Sequence, residues 1–137
     1  MRVSLCLGLV LLVPAVGIAQ SDVEAEVRAA VEASYTSIGE DLVDTRDSIS
    51  RDGALQFWSS GGLMLLSSPD DPPLEYESFN VFPKHVEVVV LSDTAAVALY
   101  YAEGSMWPAG RDPVAHYLTR VMEAYVKEDG VWKARLP

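Results

Sequence analysis

Apolar positions dominate the second half of the chain, in four β-branched stretches set apart by polar breaks. These are Val86–Leu91, Thr94–Gly104, His116–Lys127 and Val131–Leu136. The breaks between them fall at Ser92-Asp93, across Met106–Pro113, and at Glu128-Asp129-Gly130. Apolar, β-branched runs punctuated by turn residues predict an antiparallel meander of three to four strands. The first half reads differently. Val23, Val27, Ala30, Val31, Ser34 and Ile38 recur at three- and four-residue steps, while Glu24, Arg28 and Glu32 fall elsewhere on the same wheel. That is an amphipathic helix, with Ser21 and Glu24 as a capping box and Gly39 placed to end it.

Between the two halves the pattern is shorter-ranged. Asp41–Ser50 reads as a second, shorter helix with Leu42, Thr45 and Ile49 inward, ended by Gly53. Ala54–Ser59 and Leu63–Leu66 flank Ser60-Gly61-Gly62 and predict a hairpin. Ser67–Leu74, with three prolines and two aspartates, is the clearest loop. Glu75–Lys84 stays open between a helical turn and an irregular edge. The sum is an α+β class: a curved antiparallel sheet, a half-cone, packed against N-terminal helices and enclosing a pocket.

The N-terminus changes the picture of where the chain works. Met1-Arg2 precedes the apolar run Leu5–Val13, then Pro14 and the small residues Gly17-Ile18-Ala19. This is the pattern of a secretory signal peptide, its apolar core shorter than the roughly 20 residues of a membrane span. Cleavage after Ala19 is expected, which leaves Gln20–Pro137 as one domain, secreted or periplasmic, with no membrane attachment. Cys6, the single cysteine, leaves with the signal, so no disulfide and no thiolate metal site remain. Losing Arg2 also takes the formal net charge from −10 to −11. Such a surface repels phosphate backbones, so no nucleic-acid partner is expected.

The order of elements resembles the SnoaL-like branch of the nuclear transport factor 2-like superfamily. The residues that carry the resemblance are Leu91–Ala98, Tyr117–Val121 and Val126–Lys133, the last a strand, acidic-Gly turn and Trp-Lys ending. It covers Val23 to Leu136 and implies a cone-shaped fold, while its members include isomerases, cyclases, dehydratases and binders without chemistry. One departure is that the chain stops at Leu136-Pro137, where related domains commonly continue into a histidine-bearing segment. Ketosteroid isomerase-type members pair an acidic base with a tyrosine and a protonated acid, and that trio does not map onto this chain residue by residue.

Parity sorts the long strands. Val97, Leu99, Tyr101 and Glu103 share one face, and Ala96, Ala98, Tyr100 and Ala102 the other. His116, Leu118, Arg120, Met122, Ala124 and Val126 share a face, opposed by Tyr117, Thr119, Val121, Glu123 and Tyr125. With both faces apolar, one meets the helices and the other is expected to meet a second subunit, giving a homodimer through the sheet. Glu103, His116, Arg120 and Glu123 are the polar groups among these strands. Glu103, His116 and Glu123 are candidates for acid–base catalysis if a pocket raises a carboxyl pKa; the competing reading is a structural ion pair of Arg120 with Glu103 or Glu123. Tyr35, Trp58, Tyr101, Trp107 and Arg120 are candidate contacts for a small apolar or aromatic ligand, with Trp107 in a loop at the mouth. The competing reading for the aromatics is core or interface packing. His85 and His116 lack ligand spacing, so neither a metal nor another cofactor is expected. The expected role is binding of a small organic molecule, with an acid–base enzyme or a non-catalytic dimeric module as alternatives.

Overall fold

The computed structural model describes residues 16–57 and 64–136. Helix α1 runs Val16–Asp41, and seven strands follow: β1 Val43–Asp44, β2 Ala54–Gln56, β3 Leu65–Ser67, β4 Leu74–Ser92, β5 Ala95–Pro108, β6 Val114–Glu128 and β7 Val131–Leu136. The sheet is antiparallel in the order β1-β4-β5-β6-β7, with β2 and β3 as a separate hairpin. The long strands curl into a half-barrel with α1 against the inner face. The fold is α+β, and the predicted meander and hairpin are both present. The hairpin's connection, with Trp58, lies outside the described residues.

Burial explains which face turned inward. Val23, Val27 and Val31 of α1 meet Ala96, Ala98, Tyr100 and Ala102 of β5, all buried, with Phe79, Val81 and Val86 from β4. Three alanines under a helix let the backbones approach closely, and larger inner side chains would hold α1 off the sheet. Glu26 fastens the helix to the far end of the sheet, accepting from Lys127 Nζ at 2.6 Å and Trp132 Nε1 at 2.8 Å.

Several expectations are corrected. In this chain α1 already begins at Val16, so Ser21 is internal to it and Glu24 instead pairs with Arg28 at 2.9 Å. The helix passes Gly39 and ends where Leu42 takes a left-handed φ of 57°. Leu42 N still donates to Ile38 O at 2.9 Å, and Tyr76 N of β4 takes the Leu42 carbonyl. Asp41–Ser50 is not a second helix. Arg46 N donates to the Asp44 carboxylate at 3.1 Å and Thr45 Oγ1 to Asp47 at 2.8 Å. Short acidic side chains thus capture local donors that a helix would need. The segment instead lies along β7, where Ser50 N and Ala134 N bond to Ala134 O and Ser48 O. One helix, not several, covers the sheet among the described residues.

Glu75–Lys84 is neither a helical turn nor an irregular edge: it is the first half of the 19-residue β4. Its alternation is hidden by register shifts between Tyr76 and Ser78 and between Lys84 and Glu87. Each bulge moves the inward set by one, so Tyr76, then Phe79 and Val81, then Val86 point to α1. Pro83 is tolerated because β1 pairs only with the start of β4, leaving the rest an edge. His85 absorbs the second bulge at φ 54°, and Arg28 Nη1 of α1 donates to the neighbouring Val86 carbonyl.

Candidate functional site

The two faces of β5 and β6 sort the candidate residues apart. Glu103, His116, Tyr101 and Arg120 lie on the outer face, whereas Glu123 and Tyr35 lie on the inner side. The proposed set is therefore not one constellation. Arg120 pairs with neither Glu103 nor Glu123; Glu103 instead faces Lys84 Nζ at 3.8 Å. Trp107 is not in a loop but in β5, opposite Ser78, with its Nε1 donating to Arg111 O at 3.0 Å. Trp58 lies outside the described residues.

Glu103 and His116 do share a surface. With Lys84, Asn80, Phe82 and Leu118 they line a shallow outer depression of about 430 Å³. It forms where β5 bends at Gly104, whose φ is 147° and whose hydrogen faces Asn80 O. A smaller depression of about 230 Å³ lies between α1 and β4, against Tyr35, Gly39, Phe79 and Val81. Neither encloses its contents.

The inner face holds the tighter chemistry. Glu123 pairs in register with Ala98; Tyr100, its diagonal neighbour on β5, and Tyr125, two residues on in β6, point the same way. Both phenols donate to one oxygen, Glu123 Oε2: Tyr125 Oη at 2.6 Å and Tyr100 Oη at 3.0 Å. Tyr35 Oη of α1 donates to Tyr100 Oη at 3.5 Å, and the two rings meet edge to face. Two of these tyrosines are almost wholly enclosed, Tyr100 at 6% and Tyr125 at 4% exposed, and Tyr35 is partly buried. The small side chains of Ala96 and Ala98 make the room for them.

Burial pushes the Glu123 carboxyl above its ordinary value near 4.5, against the opposing pull of the Tyr125 and Tyr100 hydrogen bonds. The same burial, with the acid nearby, holds the Tyr100 and Tyr125 hydroxyls well above the usual phenol range. Tyr35 is raised mainly by burial. These phenols are donors under all ordinary conditions, not bases.

The second oxygen, Glu123 Oε1, accepts no hydrogen bond among the described residues. Arg46 Nε is the one side-chain polar atom there that is both sealed from solvent and unpartnered. The Glu123 side chain is itself enclosed, and that burial is what raises its carboxyl. With Oε2 accepting from two donors, a proton on this carboxyl resides on Oε1. The arrangement presents an acid whose back is fixed and whose front can give or accept one hydrogen bond.

Parity reasoning had placed Glu123 and Tyr125 on one face; Tyr100 was missed as their partner. The β5–β6 register was the missing fact, since it alone makes positions 100 and 123 diagonal neighbours.

No protein-family model matches the chain, and no curated protein matches it. Among solved structures, one similar chain is described as a Ca/calmodulin-dependent kinase II association domain from Exiguobacterium sibiricum 255-15. The match covers 90% of both chains at 14% identity, with a TM-score of 0.48. A likeness at this level assigns neither activity nor partner.

Proposed function

We propose that this is an exported, SnoaL-like small-molecule-binding domain whose ligand is recognised at the inner face around Glu123. The observation that supports this reading is the asymmetric buried carboxyl: two tyrosines hold one oxygen, while no described residue donates to the other. A buried acid retained for packing alone would have both oxygens satisfied, because an unmet polar group costs stability. The ligand class that fits offers one hydrogen-bonding oxygen to Glu123 and an apolar or aromatic body to the surrounding rings. The enzymatic alternative through Glu103 and His116 has less support, since both lie on the open outer depression, where Glu103 is the one carboxylate of the lining and faces Lys84. The signal at Met1–Ala19 supports export and cleavage, and the exposed outer face of the sheet supports a homodimer.

Native mass spectrometry of the protein from the exported fraction tests the binding role. The expected result is a small-molecule adduct on the wild type that is lost from Glu123→Ala. A clean protein mass in the wild type, or an adduct indifferent to the substitution, would count against it.

A further inference from the structure

Gly39 is a glycine that the fold does not call for. It lies inside α1, where glycine supports a helix less well than any residue but proline. Its φ is not among the positive ones that favour glycine. Nor is a side chain excluded, because a Cβ there would meet Phe79 O at 3.6 Å and a Phe79 ring carbon at 4.0 Å, ordinary contacts. What the missing side chain leaves open is the depression of about 230 Å³ between α1 and β4. A long side chain on a helix leans toward the residues three and four positions before it. From position 39 those are Thr36 and Tyr35, which line the same depression.

Tyr35 joins this depression to the buried acid. Its ring centre lies 6.3 Å from that of Phe79 and 5.9 Å from that of Tyr100. Its hydroxyl donates to Tyr100 Oη at 3.5 Å, and Tyr100 Oη donates to Glu123 Oε2 at 3.0 Å. A wall of three rings therefore runs from the carboxyl to the depression, where it meets solvent. Phe79 and Val81 line the depression from the buried side, and the exposed Thr36 and Glu40 line it from the other.

We propose that this depression is a second subsite for the ligand of Glu123, taking an apolar ring or branched alkyl group at the far end of the molecule. The proposal rests on the reading that Glu123 recognises the ligand's oxygen, and it adds the ligand's length and its other end. The class that fits is an elongated neutral molecule. It carries a hydroxyl or carbonyl oxygen at one end and an apolar group about two rings away at the other. The Glu40 carboxylate at the rim and a formal net charge of −10 disfavour an anionic end there.

Equilibrium dialysis of protein produced from the full chain, against phenol and against 4-phenylphenol, tests this, since the two probes differ by one ring. In the wild type the second ring should tighten binding about tenfold or more, the effect of burying most of an aromatic ring. In Gly39→Leu that gain should fall below about threefold, with phenol binding unchanged. Gly39→Ala, which leaves most of the depression open, should keep the gain. Glu123→Ala should weaken both probes by the same factor. Circular dichroism checks that each variant is folded. If Gly39→Leu does not fold, Thr36→Leu replaces it, narrowing the same depression from an exposed position. A plugged variant that keeps the full gain would overturn the subsite and leave the Glu123 reading standing. Loss of the gain on plugging, with both probes indifferent to Glu123→Ala, would instead overturn the Glu123 reading and with it the two-ended ligand. A wild type that binds both probes equally, or neither, would overturn the depression as a place for an apolar ring.

Discussion

At the scale of single residues, Glu123 carries the most consequence. A carboxyl raised by burial binds its proton more tightly in the folded than in the unfolded chain. Its contribution therefore favours folding at low pH and is lost as pH climbs from the ordinary value near 4.5 through the raised one. Glu26 and Glu128 act with the opposite sign. Hydrogen bonds from Lys127 and Ser50 respectively lower them, so their contributions are lost only as pH falls below that value. The windows do not overlap, which makes Glu123 readable by itself. Glu123→Gln should melt above wild type at pH 8, with the gap closing toward pH 4.5, as followed by thermal unfolding across buffers. A constant gap at all pH values would mean that the Glu123 charge is not what the fold resists. The alternation in β6 made Glu123 and Tyr125 legible as face-mates. Whether that face was covered was not legible, because parity separates two faces without saying which one a helix will choose.

At the scale of elements, β4 and β5 show how irregularity shapes the sheet. Three bulges in β4 twist it and hide its period, so in a strand of 19 residues Glu75–Lys84 stayed open between a helical turn and an irregular edge and only Val86–Leu91 read as strand. Gly104 does the corresponding work in β5. A Cβ there would stand 1.9 Å from Asn80 O, on backbone with φ 147°. No side chain can relieve that approach, since the opposing atom is backbone of a paired strand. Gly104→Ala should cost about 3 kcal/mol or more in chemical denaturation, through clash and backbone strain together. A variant of wild-type stability would mean that the β5 bend is not fixed by this contact. Asp41–Ser50 failed as a helix for a local reason: Asp44 and Asp47 offer the backbone and Thr45 competing acceptors. Its inward Ile49 was correctly picked out, but it is buried against the edge of β7.

At the scale of the whole molecule, one helix covers one face of a curled sheet and leaves the other open. If copies associate through that open face, folding and association are coupled, and the melting temperature should rise with protein concentration. Calorimetry at concentrations a hundredfold apart checks this, and coincident melting curves would argue for a monomer. The sequence by itself determined what depends on near neighbours along the chain. It fixed the class, the amphipathic helix over Val23–Ile38, the hairpin strands, the four meander strands and the division of their residues into two faces. Periodicity is a local property, and burial on one side of an element is enough to write it. Only the tertiary structure decided which face α1 covers, how β5 and β6 align, and hence that Tyr100, Tyr125 and Glu123 meet while Glu103, His116 and Arg120 stay outside. Those outcomes depend on contacts between residues far apart in the chain, and on bulges that shift the pattern where the strands must bend. No short window of sequence contains either.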